Sequence, residues 1–171
     1  MPPQSSSALR QTPPSRPPRI TPPTRVRLSV RHERIVYATV AALVATGCAW
    51  LFCHYVLAEV GEFGVLPHPL ESLWLQLHGA AGMLSLVLFG SLLPAHMLRA
   101  WALRRGRASG GILAALFLLL TLTGYGLYYI GGESLRAWIG VAHWVVGLAL
   151  PALLAVHVWT LRTKLRRVFS E

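Results

Sequence analysis

Acid is scarce in this chain. Six of its 171 residues are acidic, all of them glutamate, and charged residues make up 13%, about half the share of an ordinary soluble domain. A water-soluble fold of this length would need far more polar residues to cover its surface, so that class is excluded. Cysteine is nearly missing too. Cys48 and Cys53 both lie inside one apolar run, which excludes a disulfide-stapled secreted scaffold. Their five-residue spacing puts them on different helix faces, and they read as small apolar packing residues. The chain also lacks a Ser–His–acid set, a phosphate-binding loop and a pair of facing carboxylates, which leaves hydrolase chemistry without a footing.

What is present is apolar sequence, 54% of the chain, and 16 basic residues that give a formal net charge of +10. That charge is not a nucleic-acid signature. The bases fall in three blocks separated by long apolar runs, the pattern of cytoplasmic flanks of membrane spans. Four apolar segments are predicted to be membrane spans: Ile35–Leu57, Leu73–Leu98, Ile112–Ile130 and Ala137–Leu161, none with Asp, Glu, Lys or Arg in its interior. Each approaches or exceeds the roughly 20 residues that cross about 30 Å of hydrocarbon. The first is expected to be a retained span, since its apolar stretch is too long for a cleaved leader. The fold expected is an all-α transmembrane four-helix bundle over residues 31–165. A disordered Pro- and Arg-rich tail over 1–30 precedes it, and a short basic tail over 166–171 follows.

Orientation follows from the bases. Arg25, Arg27, Arg31 and Arg34 precede the first span. Arg99, Arg104, Arg105 and Arg107 separate the second from the third, and Arg162, Lys164, Arg166 and Arg167 follow the fourth. The other two loops carry Glu59, Glu62, Glu71 and Glu133 with Arg136 as their lone base. Positive residues stay inside, so both termini are expected on the cytoplasmic side, with the two acidic loops facing outward. Trp74, Trp101, Trp138 and Trp159 stand at span ends as interfacial anchors.

Seven histidines are many for so apolar a chain. His54, His78, His96, His143 and His157 lie in or at the edges of spans, where an ionisable side chain needs a partner. A buried histidine often does no more than hydrogen-bond across helices, but here the spacing is informative. His143 and His157 are 14 residues apart on one helix face, and His78 and His96 are 18 apart on another, rises of about 21 and about 27 Å. The spans run antiparallel, so His78 pairs with His143 at one depth and His96 with His157 at the other. Two bis-histidine haems fit that pattern, stacked in a slot between helices. Zinc would want three or four ligands at one depth. Gly82 and Gly147 each lie one turn from a histidine and would admit a flat macrocycle. The two spacings differ by four residues, about 6 Å of rise, which helix tilt or a distortion at Pro94 would have to absorb. Otherwise His54 replaces a ligand at the outer depth, or His32 at the inner one.

The stretch from Leu77 to Trp159 carries Leu-His-Gly-Ala-Ala-Gly at 77–82, Thr-Gly-Tyr-Gly-Leu-Tyr-Tyr at 123–129, Ala-His-Trp-Val-Val-Gly at 142–147 and Val-His-Val-Trp at 156–159. It resembles the small bacterial di-haem cytochromes b, which include stand-alone membrane cytochromes and the cytochrome b subunits of formate dehydrogenase and nickel–iron hydrogenase. The family commonly takes a ligand from its first span, where this chain has no mid-span histidine. The resemblance implies two haems b, electron transfer within or across the membrane, quinone as a mobile partner and a redox partner protein. Tyr125, Tyr128 and Arg136 would then line the outer haem, Arg136 facing a propionate. The rival readings are a quinone-linked oxidoreductase with its own turnover, a metal or ion transporter, and a structural anchor with satisfied core histidines. The charge blocks make one outcome explicit. A reporter fused after Glu171 should be active in the cytoplasm, and one inserted near Glu62 or Glu133 should report the opposite side. An outward C-terminus overturns the orientation.

Overall fold

The computed structural model describes residues 28–62, 64–104 and 106–168. Most of the expected N-terminal tail, up to residue 27, and the last three residues lie outside them. Helix α1 spans Val30–Tyr55 and begins at a cap: the Ser29 hydroxyl accepts the His32 backbone N–H at 3.2 Å, and Glu33 sits in the first turn. A polar oxygen and an acid at this end satisfy free N–H groups and suit the helix dipole, which is why the helix starts before the apolar run does.

Helix α2 spans Glu71–Leu92 and continues through a π-helical turn, Leu93–Met97, into the short α3, Leu98–Ala102. The distortion expected at Pro94 is this turn. Pro94 has no N–H to give to the helix, and the turn takes up one extra residue. Helix α4 spans Arg107–Tyr129 and α5 spans Glu133–Val168, with Pro151 inside it. α5 therefore runs on through the first half, residues 166–168, of the basic segment expected to be a tail. Four helices, α1, α2, α4 and α5, are long and apolar enough to cross a membrane.

One element was not anticipated. Between α1 and α2 a small antiparallel hairpin forms, β1 (Glu59–Gly61) against β2 (Gly64–Leu66), with Gly61 opposite Gly64. Gly64 has φ +120°, a conformation that needs glycine.

The helices pair as two antiparallel hairpins. In the first, His54 meets Glu71, Thr46 meets His78 and His32 meets Ser91. In the second, Thr123 meets His143 and Ser109 meets His157. Contacts within each hairpin are extensive. Those between hairpins are sparse, chiefly α1 against α5, with Phe89 of α2 stacked on Phe117 of α4 at 4.5 Å. Among the described residues only Cys53 and Thr39 are buried, and the exposed large apolar side chains are mostly Leu, Val, Ile and aromatics. Such a surface suits a membrane-spanning bundle, whose backbone polar groups are satisfied inside its helices.

The connection from α3 to α4 is tight. Arg104 and Gly106 both have positive φ, 53° and 62°, and a Cβ on Gly106 would stand 3.2 Å from Leu161. Gly106→Ala should lower stability by about 1–2 kcal/mol from the left-handed backbone alone, read as a lower melting temperature in detergent. Gly111→Ala, inside α4 with only an ordinary contact to Trp101, should be neutral or mildly stabilising.

Candidate functional site

A hydroxyl inside an apolar helix has one hydrogen to give. Thr46 gives its hydrogen to the Ala42 carbonyl at 2.7 Å, and Thr123 gives its own to the Leu119 carbonyl at 2.8 Å. Each oxygen is then left as an acceptor, and each meets a histidine of the neighbouring helix. His78 Nδ1 lies 3.0 Å from Thr46 Oγ1 and 3.1 Å from the Leu43 carbonyl oxygen. His143 Nδ1 lies 2.9 Å from Thr123 Oγ1. A carbonyl can only accept, so His78 carries its proton on Nδ1. The same reasoning holds for His143, because the Thr123 hydrogen is already spent. In a neutral imidazole the lone pair is then on Nε2, the form that binds a metal. Neither Nε2 has a hydrogen-bond partner among the described residues.

These two rings face each other across the hairpins, with centroids 6.2 Å apart and planes at 80°. Two imidazoles sharing one metal ion at about 2.0–2.1 Å, each ring centre roughly 1 Å behind its nitrogen, have centroids roughly 6 Å apart. The spacing and the tautomer both fit a two-histidine metal site.

Glycines make the approach possible. A Cβ on Gly47 would stand 3.2 Å from His78 Cε1, and one on Gly124 would stand 3.3 Å from His143 Cε1. Each glycine follows the threonine that binds the same ring. His157 repeats the arrangement: its Nδ1 lies 2.8 Å from Ser109 Oγ, with Gly110 and Gly106 beside Cε1 at 3.7 and 3.6 Å. His96 sits in the π-helical turn. Its Nδ1 is buried without a partner. The Phe89–Phe117 stack lies between the two pairs along the helices.

The alternative ligands are engaged elsewhere. His54 Nδ1 bonds Glu71 Oε1 at 2.8 Å, and its ring stacks on Trp50 at 4.6 Å. His32 Nε2 bonds Ser91 Oγ at 3.1 Å. Gly82 has nothing within 4 Å of a would-be Cβ, and Gly147 has only Leu120 at 3.8 Å, so both helices offer flat surface there. Tyr125 is exposed and stacks on Tyr129 at 4.3 Å. Tyr128 reaches α2, its hydroxyl 4.0 Å from a Cβ on Gly79. Arg136 is exposed and forms no ion pair among the described residues.

Sequence reasoning missed the three Ser/Thr-Gly dipeptides and two further groups. The indole Nε1 atoms of Trp50 and Trp144 are buried and lack an acceptor. Both can only donate, and both stand close in sequence to the His78–His143 contacts. Among the described residues no group of three or more His, Cys, Asp or Glu gathers to hold a metal. His78 and His143 stand together as two. No protein-family model, curated protein or solved structure matches this chain.

The hydroxyl contacts can be checked without any cofactor. Thr123→Val should cost about 0.5–2 kcal/mol, the loss of one intramembrane hydrogen bond that leaves a polar atom unpaired. Ring-nitrogen NMR of isotope-labelled histidine should show His143 losing its single-tautomer pattern while His157 keeps its own. An unchanged His143 signal would refute the role given to Thr123.

Proposed function

We propose that this chain is a b-type cytochrome of the bacterial inner membrane that holds two bis-histidine haems and exchanges electrons with quinone. The observation that carries the proposal is the His78–His143 pair: 6.2 Å between centroids, both Nδ1 atoms tied to hydroxyls, both Nε2 atoms free. His96 and His157 form the second pair at the arginine-rich end. Bound haem supplies a one-electron iron couple.

The chain's own residues do the rest. Thr46, Thr123 and Ser109 fix ring orientation and tautomer, as partners behind metal ligands commonly do. Gly82 and Gly147 leave flat helix surface one turn from His78 and His143. The Trp50 and Trp144 indoles offer donors to a propionate or a quinone carbonyl, and Tyr128 borders the same end. Arg136 is long enough to reach a propionate from the surface, and Tyr125, exposed and stacked on Tyr129, stands at the same helix end. Both termini lie in the cytoplasm by the arginine blocks, so the His96–His157 pair is the inner one. The resemblance to the di-haem cytochromes b supports the same reading and implies a redox partner protein. The His54–Glu71 hydrogen bond favours a second reading, a membrane anchor or ion transporter that uses its histidines without haem.

Detergent-purified protein should show a low-spin b-type spectrum with about two haems per chain, one for each bis-histidine pair. His143→Ala and His78→Ala should each remove the same haem, and His157→Ala and His96→Ala the other. A folded, colourless protein from haem-sufficient cells ends this reading and promotes the second. If His32→Ala loses a haem that His96→Ala retains, the inner ligand comes from α1.

A further inference from the structure

Three of the four span histidines are held on one ring nitrogen by a neighbouring helix, and the fourth is not. His78, His143 and His157 each bond a hydroxyl at 2.8–3.0 Å. His96 makes no hydrogen bond through either ring nitrogen among the described residues, and its Nδ1 is buried.

The backbone differs in the same place. His78, His143 and His157 stand on α-helix, whereas His96 stands in the π-helical turn Leu93–Met97 beside Pro94. That turn holds one residue more than an α-helix needs. Passing the extra residue along the helix would rotate the His96 position by about 100°. The rotation breaks no bond to its ring, because there is none. The same swing at His78, His143 or His157 would tear an imidazole–hydroxyl bond and drive the ring into a neighbouring glycine.

We propose that His96 is a displaceable ligand. On this inference, which rests on the haem reading, the inner haem can exchange His96 for a small neutral diatomic molecule such as carbon monoxide or nitric oxide. The His78–His143 site stays closed to such ligands. In the exchange the His96 imidazole would leave the iron with its lone pair, the diatomic would take its place through its own lone pair, and no electron or proton would be transferred. Losing a partner behind a metal ligand typically weakens metal affinity 10–100-fold. His96 lacks that partner from the outset, so its hold is weaker than that of the other three by about that factor.

The test is carbon monoxide binding to the full-length, dithionite-reduced protein in detergent, followed by absorption spectroscopy. One haem of the two should bind carbon monoxide while the other stays low-spin and unchanged. In His96→Ala one haem should be high-spin before any gas is added, and uptake should stay at one per chain. Two low-spin haems that both ignore carbon monoxide, or that both bind it, overturn the inference and leave the haem reading intact. Uptake of two per chain in His96→Ala places the labile ligand at the other pair and overturns it as well. Protein without haem overturns both.

Discussion

A polar side chain inside hydrocarbon must find a partner, and the structure answers that demand with one repeated contact. An imidazole Nδ1–H is accepted by a hydroxyl of the adjacent helix, beside a glycine that lets the ring come close. The contact occurs as Thr46-Gly47 with His78, Thr123-Gly124 with His143 and Ser109-Gly110 with His157. Each partner hydroxyl sends its hydrogen back to its own helix and so becomes an acceptor. Ring orientation, tautomer and the direction of the free nitrogen all follow from it. The contact also sets helix register, since each hairpin pairs where hydroxyl and imidazole coincide.

Much of this was legible in the sequence, and some that went unread could have been. The spans came from apolar length, because lipid leaves a backbone little choice but helix. The 14-residue spacing of His143 and His157 gave one face of α5. The matching signal lies in α4, where Ser109-Gly110 and Thr123-Gly124 are also 14 residues apart. Two antiparallel helices with equal spacings must bring both pairs into register together. The dipeptides were hidden because Ser and Thr are common in membrane helices and Gly reads as ordinary close packing.

Other features lay beyond sequence reasoning for physical reasons. Helix α5 reaches Val168 because basic side chains do not stop a helix, and arginine and lysine suit its C-terminal end. The hairpin at 59–66 is too short for an alternation pattern to show. His54 looked like a spare ligand because its partner, Glu71, is distant in sequence and approaches only when the α1–α2 hairpin closes. The π-helical turn was anticipated only as a distortion at Pro94. It shortens the rise between His78 and His96 by about one residue, roughly 1.5 Å. That closes only part of the mismatch with the 14-residue spacing opposite.

The remaining asymmetry has a structural logic. The two hairpins are each closely packed, but they meet each other sparsely, and the His78–His143 pair spans that seam. A bundle packed tightly across the seam would have room for neither the facing rings nor anything between them. A bundle with free rings there would have no fixed geometry. Anchoring each imidazole backwards, onto its own hairpin, resolves the conflict, because orientation then does not depend on contacts across the seam. His96 departs from this rule. It belongs to the α1–α2 hairpin, yet α1 presents no hydroxyl to it and the backbone beneath it is irregular. The hairpin that holds His78 firmly at one end therefore leaves His96 loosely held at the other, so the two depths of the seam differ in how fixed their geometry is.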